Sequence, residues 1–267
     1  MSSNVLFALG LTVFAGLSTG IGSALAFFAK RTDRRFLSIA LGFSAGVMIY
    51  VSMIEIFFKA KNSLCLHMGD RLGYWVTVAS FFMGMGIIAI IDKLIPSFEN
   101  PHEMHKVEEM DKPPDMELLK RMGLLSALAI AIHNFPEGFA TFTAAMSDPK
   151  LGISIAIAIA IHNIPEGIAV SIPLYYATGN RKKAFFWSFM SGLSEPVGAI
   201  IGYLLLSTVF NLDKYFGIPF AMVAGIMVFI SLDELLPAAE KFGEHHLTIY
   251  GVITGMVVMA LSLLFFA

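Results

Sequence analysis

Eight stretches of this chain are long and apolar enough to cross a lipid bilayer, and nothing else in the sequence limits the fold so tightly. They run over about 4–29, 36–59, 73–96, 121–147, 151–176, 183–210, 218–241 and 247–266. Inside hydrocarbon every backbone N–H and C=O must find a partner within the protein, which leaves helices or a closed barrel. A barrel strand needs only about 9–11 residues to cross, whereas runs of about 20 suit helices. The sequence therefore predicts an all-α, polytopic protein with 1–267 as a single transmembrane domain. Its longest connection is the polar segment 97–120, which carries Pro101, Pro113 and Pro114. With 57% hydrophobic and 14% charged residues, a water-soluble domain is excluded.

Charge fixes the expected orientation. With the N-terminus outside, 13 of the 18 Lys and Arg fall on the inner loops, among them Arg34, Arg35, Arg181, Lys182 and Lys183. The excess of positive charge on the cytoplasmic side then puts both termini outside. No basic stretch precedes the first apolar run, so that run reads as an uncleaved span. No basic stripe with interleaved aromatics appears, so no nucleic-acid partner is expected, leaving the lipid bilayer as the surrounding medium. Cys65, the single cysteine, is expected in a loop, and neither a disulfide framework nor a thiolate metal site is available.

Against this apolar background one polar phrase occurs twice. IAIHNFPEG and IAIHNIPEG, 29 residues apart, place His133, Asn134 and Glu137, then His162, Asn163 and Glu166, inside the fourth and fifth spans. An ionisable side chain at the centre of a membrane helix costs roughly 2.5–3.5 kcal/mol, so each needs a reason to be there. Spacings of three and four residues put the three heads of each phrase on one helix face. Pro136 and Pro165 remove the N–H groups that would bond the carbonyls of Ile132 and Ile161, and the two rods are expected to be broken there. Consecutive spans run in opposite directions, so the phrases face each other at mid-depth, and Glu195 with Pro196 lies about as deep in span six.

Seven residues, His133, Asn134, Glu137, His162, Asn163, Glu166 and Glu195, are thus the candidate metal ligands. Four more are candidate pathway residues: Met53 and Glu55 toward the outer end of span two, and Asp233 and Glu234 in the inner half of span seven. His102 and His105 form a looser pair in the 97–120 connection. Small residues four apart, such as Gly42 with Gly46 and Gly251 with Gly255, mark close helix crossings. Carboxylates, imidazoles and amide oxygens without thiolate suit zinc, iron(II), manganese or cobalt. A set so rich in carboxylate fits an exchangeable cargo rather than a catalytic cofactor. The same residues leave two alternatives open: a membrane-embedded metalloenzyme, such as a di-iron oxidase or a protease, and a divalent cation channel. Against the enzyme stands the absence of HExxH, and of any Glu-x-x-His pair on the spans.

The paired HN-x-PEG phrases, the SGLSEPVGA stretch of span six and the eight-span layout resemble the ZIP family of divalent metal transporters, in its bacterial zinc-uptake branch. The resemblance implies a 3+2+3 inverted-repeat bundle with both termini extracytoplasmic, in a bacterial cytoplasmic (inner) membrane. It implies uptake of Zn(II), with Fe(II), Mn(II), Co(II) or Cd(II) as further cargo, by alternating access. A two-metal site would map onto His133, Asn134, Glu137, Asn163, Glu166 and Glu195, with His162 nearby. Homodimers are implied too, in which spans one, four, five and six move as a block. Where many eukaryotic members read HExPHE in span five, this sequence has Asn163 and Glu166, a departure that weakens the expectation of strict zinc selectivity.

Overall fold

The computed structural model describes residues 3–28, 34–94, 116–208, 217–242 and 245–266, and among these every regular element is a helix. In chain order they are α1 (Ser3–Phe28), α2 (Arg34–Tyr50), α3 (Phe57–Met68), α4 (Asp70–Leu94), α5 (Met116–Ser147), α6 (Pro149–Thr178), α7 (Arg181–Gly192), α8 (Ser194–Thr208), α9 (Gly217–Ile230), α10 (Leu236–Phe242) and α11 (His245–Phe266). Among the described residues, seven helical stretches are long and apolar enough to cross a membrane, and α5, at 32 residues, is an eighth long rod. The protein is a multi-pass membrane protein.

Three local departures from simple rods matter. Between α2 and α3, Val51–Ile56 forms one π turn in which Phe57 N–H reaches back to the carbonyl of Ser52. The helix continues through it, so Cys65 sits in α3 and not in a loop. A second π turn, Ser231–Leu235, joins α9 to α10, with Leu236 N–H bonding the carbonyl of Ser231. Pro237 accounts for it, since it cannot supply the N–H that the carbonyl of Asp233 would otherwise receive. The third departure corrects an expectation. The α5 and α6 rods stay helical through Pro136 and Pro165, and the break falls in span six, where α7 ends at Gly192 and α8 restarts at Ser194 ahead of Pro196.

Tight caps set the central hairpin. Asp148 accepts from Lys150 N at 3.0 Å, with Pro149 at the first helical position of α6. At the other end of α6, Gly179 takes a left-handed conformation (φ 59°) and Asn180 then caps α7 through Lys182 N and Lys183 N. With only Asp148 between them, α5 and α6 lie antiparallel side by side.

The helices pack as two sets. One joins α1, α5, α6, α7 and α8; the other joins α2, α3, α4, α9, α10 and α11. Within the second set α2 and α11 cross backbone to backbone. A Cβ at Gly42 or Gly46 would overlap the carbonyl of Thr248 or Val252, and one at Gly251 or Gly255 that of Ile39 or Phe43. The small-residue spacing thus marks a close crossing, as expected from the sequence. The outer surface is apolar, with Trp75, Phe82, Ile90 and Phe265 all more than 60% exposed, as suits a face toward acyl chains.

Candidate metal centre

Asn134 and His162 each lie 14 residues from the turn at Asp148, so both sit about 21 Å below it along their helices. The two repeated phrases therefore meet, and the way each seats against its neighbour is the same. In the first, Gly138 abuts the carbonyl of Glu195 on α8 while Gly198 abuts the carbonyl of Phe135. In the second, Gly167 abuts the carbonyl of Thr19 on α1 while Gly22 abuts the carbonyl of Ile164. Any Cβ at these four positions would collide with backbone, which explains the glycine that ends each phrase. The backbones come close enough for short polar side chains to reach between helices.

His162 is the hub. Its Nε2 lies 3.2 Å from Glu137 Oε1 on the opposite rod and 4.0 Å from Glu166 Oε1 one turn along its own. One ligand atom from each of Glu137, His162 and Glu166 falls within 4.8 Å of the other two. In a tetrahedral zinc site with bonds near 2.1 Å, donor atoms are about 3.4 Å apart, so the His162–Glu137 edge is already the right length. Beside this triad Asn163 donates through Nδ2 to Glu195 Oε1, and to the carbonyl of Ala15 on α1 at 3.0 Å. That directs its amide oxygen the other way, and this oxygen is buried without a hydrogen-bond partner. Both polar atoms of the Asn134 amide are likewise buried and unpartnered. From α2, Ser44 donates to Glu166 Oε1 at 2.8 Å.

Burial makes the charge of this centre its main property. Glu137, Glu195, His162, Asn134 and Asn163 are fully inaccessible and Glu166 is 4% exposed, yet no Lys or Arg is buried among the described residues. Three carboxylates in a low-dielectric interior, with the His162 imidazole and no buried Lys or Arg beside them among the described residues, suit a bound cation. The orphaned amide oxygens of Asn134 and Asn163 are donors of the kind a hard or borderline divalent ion takes.

Of the seven candidate ligands, the structure gathers Glu137, His162 and Glu166 into one cluster with Asn163 and Glu195 against it. Asn134 lies one turn from Glu137. His133 is on the same helix, but its side chain lies outside the described residues, as do His102 and His105. The four pathway candidates lie elsewhere, on the two π turns. Met53 is 41% exposed; Glu55 pairs with Lys59 at 3.6 Å; Asp233 is exposed and Glu234 half-buried. Sequence reasoning missed Ser44 and the Ala15 carbonyl. A serine within Ser44-Ala45-Gly46 looks like any small packing residue, and no sequence signal singles out a main-chain oxygen.

A family model described as ZIP zinc transporter matches residues 93–263. Three similar proteins are each named zinc transporter ZupT. That of Nitratidesulfovibrio vulgaris is 65% identical over 98% of both chains, that of Oceanobacillus iheyensis 64% over 99% of both. That of Clostridium perfringens is 60% identical over 99% of this chain and 97% of its own. The chain belongs to the ZIP zinc transporter family. As a ZIP protein it is a transporter and not an enzyme, which sets aside the metalloenzyme alternative.

Proposed function

We propose that this ZIP protein takes up Zn(II) into the cytoplasm through the centre built by α5, α6 and α8. His133, Asn134, Glu137, His162, Asn163, Glu166 and Glu195 hold one or two ions during transit. The observation that carries the reading is the buried triad of Glu137, His162 and Glu166, three potential ligands within 4.8 Å in an interior without a buried Lys or Arg among the described residues. Such a centre holds a divalent cation well and a neutral solute poorly. Its lack of thiolate and its three carboxylates admit Fe(II), Mn(II), Co(II) and Cd(II) as further cargo.

Transport proceeds by alternating access. The set of α1, α5, α6, α7 and α8 carries every ligand and packs more densely within itself than against α2 and α9, so it slides as a body. Met53 and Glu55 stand toward the outer mouth; Asp233 and Glu234 receive the ion on its inward path. The eight spans adopt the 3+2+3 arrangement with both termini outside, in a bacterial inner membrane, as a homodimer. Zinc uptake into proteoliposomes tests the centre: Glu137→Ala should reduce it by more than about 100-fold, since even indirect supports of a metal site are worth 10–100-fold. Undiminished uptake in that variant overturns the reading.

A further inference from the structure

Side-chain hydrogen bonds join the two helix sets at two depths along α6. Near one end of α6, Ser154 Oγ and Ser262 Oγ on α11 lie 3.2 Å apart. Deeper, Ser44 on α2 donates to Glu166 Oε1 at 2.8 Å and lies 3.5 Å from the carbonyl of His162. The first touches nothing in the metal centre. The second holds one of its carboxylate oxygens, the one 4.0 Å from His162 Nε2.

We infer that Ser44 is a positioning residue that holds Glu166 in the metal centre only in the alignment of the two helix sets seen here, so that sliding of one set against the other weakens the grip on the ion. The inference rests on the transport reading above. Glu166 and His162 are one turn apart on α6, and a Glu side chain has three rotatable bonds. Without the Ser44 bond, one of the contacts that hold this carboxylate toward His162 is lost. A buried hydroxyl at 2.8 Å selects the rotamer that faces the triad, as outer partners of ligating carboxylates do in metal sites generally. Ser44 belongs to α2, which packs against α11 and α10 rather than with α1, α5 and α8. A translation of α6 past α2 by even one turn, about 5.4 Å, breaks a bond of this length. Glu166 then lacks that hold as the centre reaches the other side. Serine is suited to this because its single short hydroxyl adds no charge and needs little room beside Gly46, whose close crossing with α11 fixes α2 in place.

Ser44→Ala, Ser44→Thr and Ser262→Ala, compared with the intact chain, test this. Zinc binding by the purified protein is measured by competition with a chromophoric chelator, and initial uptake rates in proteoliposomes give KM and kcat separately. Ser44→Ala should weaken binding and raise KM about 10-fold with kcat unchanged or raised, because ground-state positioning is lost while the bond that sliding must break is also gone. Ser44→Thr should restore KM, and Ser262→Ala should leave it unchanged. An unchanged KM in Ser44→Ala overturns the inference, as does a loss shared equally by Ser262→Ala or a fall in kcat alone. Should Ser44→Thr fold poorly, judged by size-exclusion profile, the contrast between Ser44→Ala and Ser262→Ala decides. Glu166→Ala run alongside separates the two readings: if it keeps full uptake the metal centre itself is misassigned, and if it is inactive while Ser44→Ala behaves as intact, only the Ser44 inference fails.

Discussion

The two copies of HN-x-PEG dock alike and are wired differently. Each seats its last glycine on a neighbouring carbonyl and its variable residue on a neighbouring glycine, α5 against α8 and α6 against α1. Their polar heads then diverge. In the second copy Asn163 is bound to Glu195 and to Ala15, Glu166 accepts from Ser44, and His162 reaches across to Glu137. In the first copy the Asn134 amide has no hydrogen-bond partner at all, although it is fully buried. Identical residues therefore do different work according to which helix they face. The second copy is anchored to α1, α2 and α8, while the first keeps the Asn134 amide without a hydrogen bond.

The shared half of this comparison carries the largest expected effects. Gly138→Ala and Gly167→Ala each push a Cβ into backbone, the carbonyl of Glu195 in one case and of Thr19 in the other. Backbone cannot rotate away as a side chain can, so each variant should lose about 4 kcal/mol or more, enough to abolish recovery of folded protein from the membrane. Monodisperse, heat-stable Gly167→Ala would show that the seating is looser than drawn. Next comes the ion itself. If the centre is built for zinc, saturating zinc at 100 times its dissociation constant should stabilise the protein by about 2.7 kcal/mol over the chelator-treated form, read from thermal unfolding. His162→Ala should erase that difference, since His162 lies 3.2 Å from Glu137 of the first copy and 4.0 Å from Glu166 of the second.

Much of this was legible beforehand, for a physical reason. Ionisable residues inside an apolar run are expensive, so His162, Glu137, Glu166 and Glu195 stood out without any coordinates. What hydropathy could not show is where a helix ends once it leaves hydrocarbon. The stretch Arg35–Met68 is 34 residues, about 51 Å, and its end carrying Lys59, Lys61 and Cys65 resembles a loop in composition while remaining helical. Proline was equally ambiguous. It removes one hydrogen bond wherever it stands, but the cost is taken up locally at Pro136 and Pro165, by a break before Pro196 and by a π turn before Pro237, and packing decides among these outcomes. Ser44 was invisible because its partner lies 122 residues away.

The two asparagines give the smallest effects and the sharpest contrast. Asn163→Ala removes the donor from both Glu195 and the Ala15 carbonyl, leaving a buried carboxylate oxygen and a buried backbone oxygen without that bond. A hydrogen bond to a buried carboxylate is worth about 1.5–3 kcal/mol, so this variant should unfold at a visibly lower temperature even without zinc. Asn134→Ala removes an amide that already forgoes its hydrogen bonds, and burying such a group is itself unfavourable. Its metal-free stability should therefore change by less than about 0.5 kcal/mol, or rise, while the stabilisation gained on adding zinc shrinks. Unfolding curves of both variants, with chelator and with zinc, check this. Equal destabilisation of the two in chelator would mean that the Asn134 amide is satisfied in the folded protein, and the division of labour between the two phrases would be wrong.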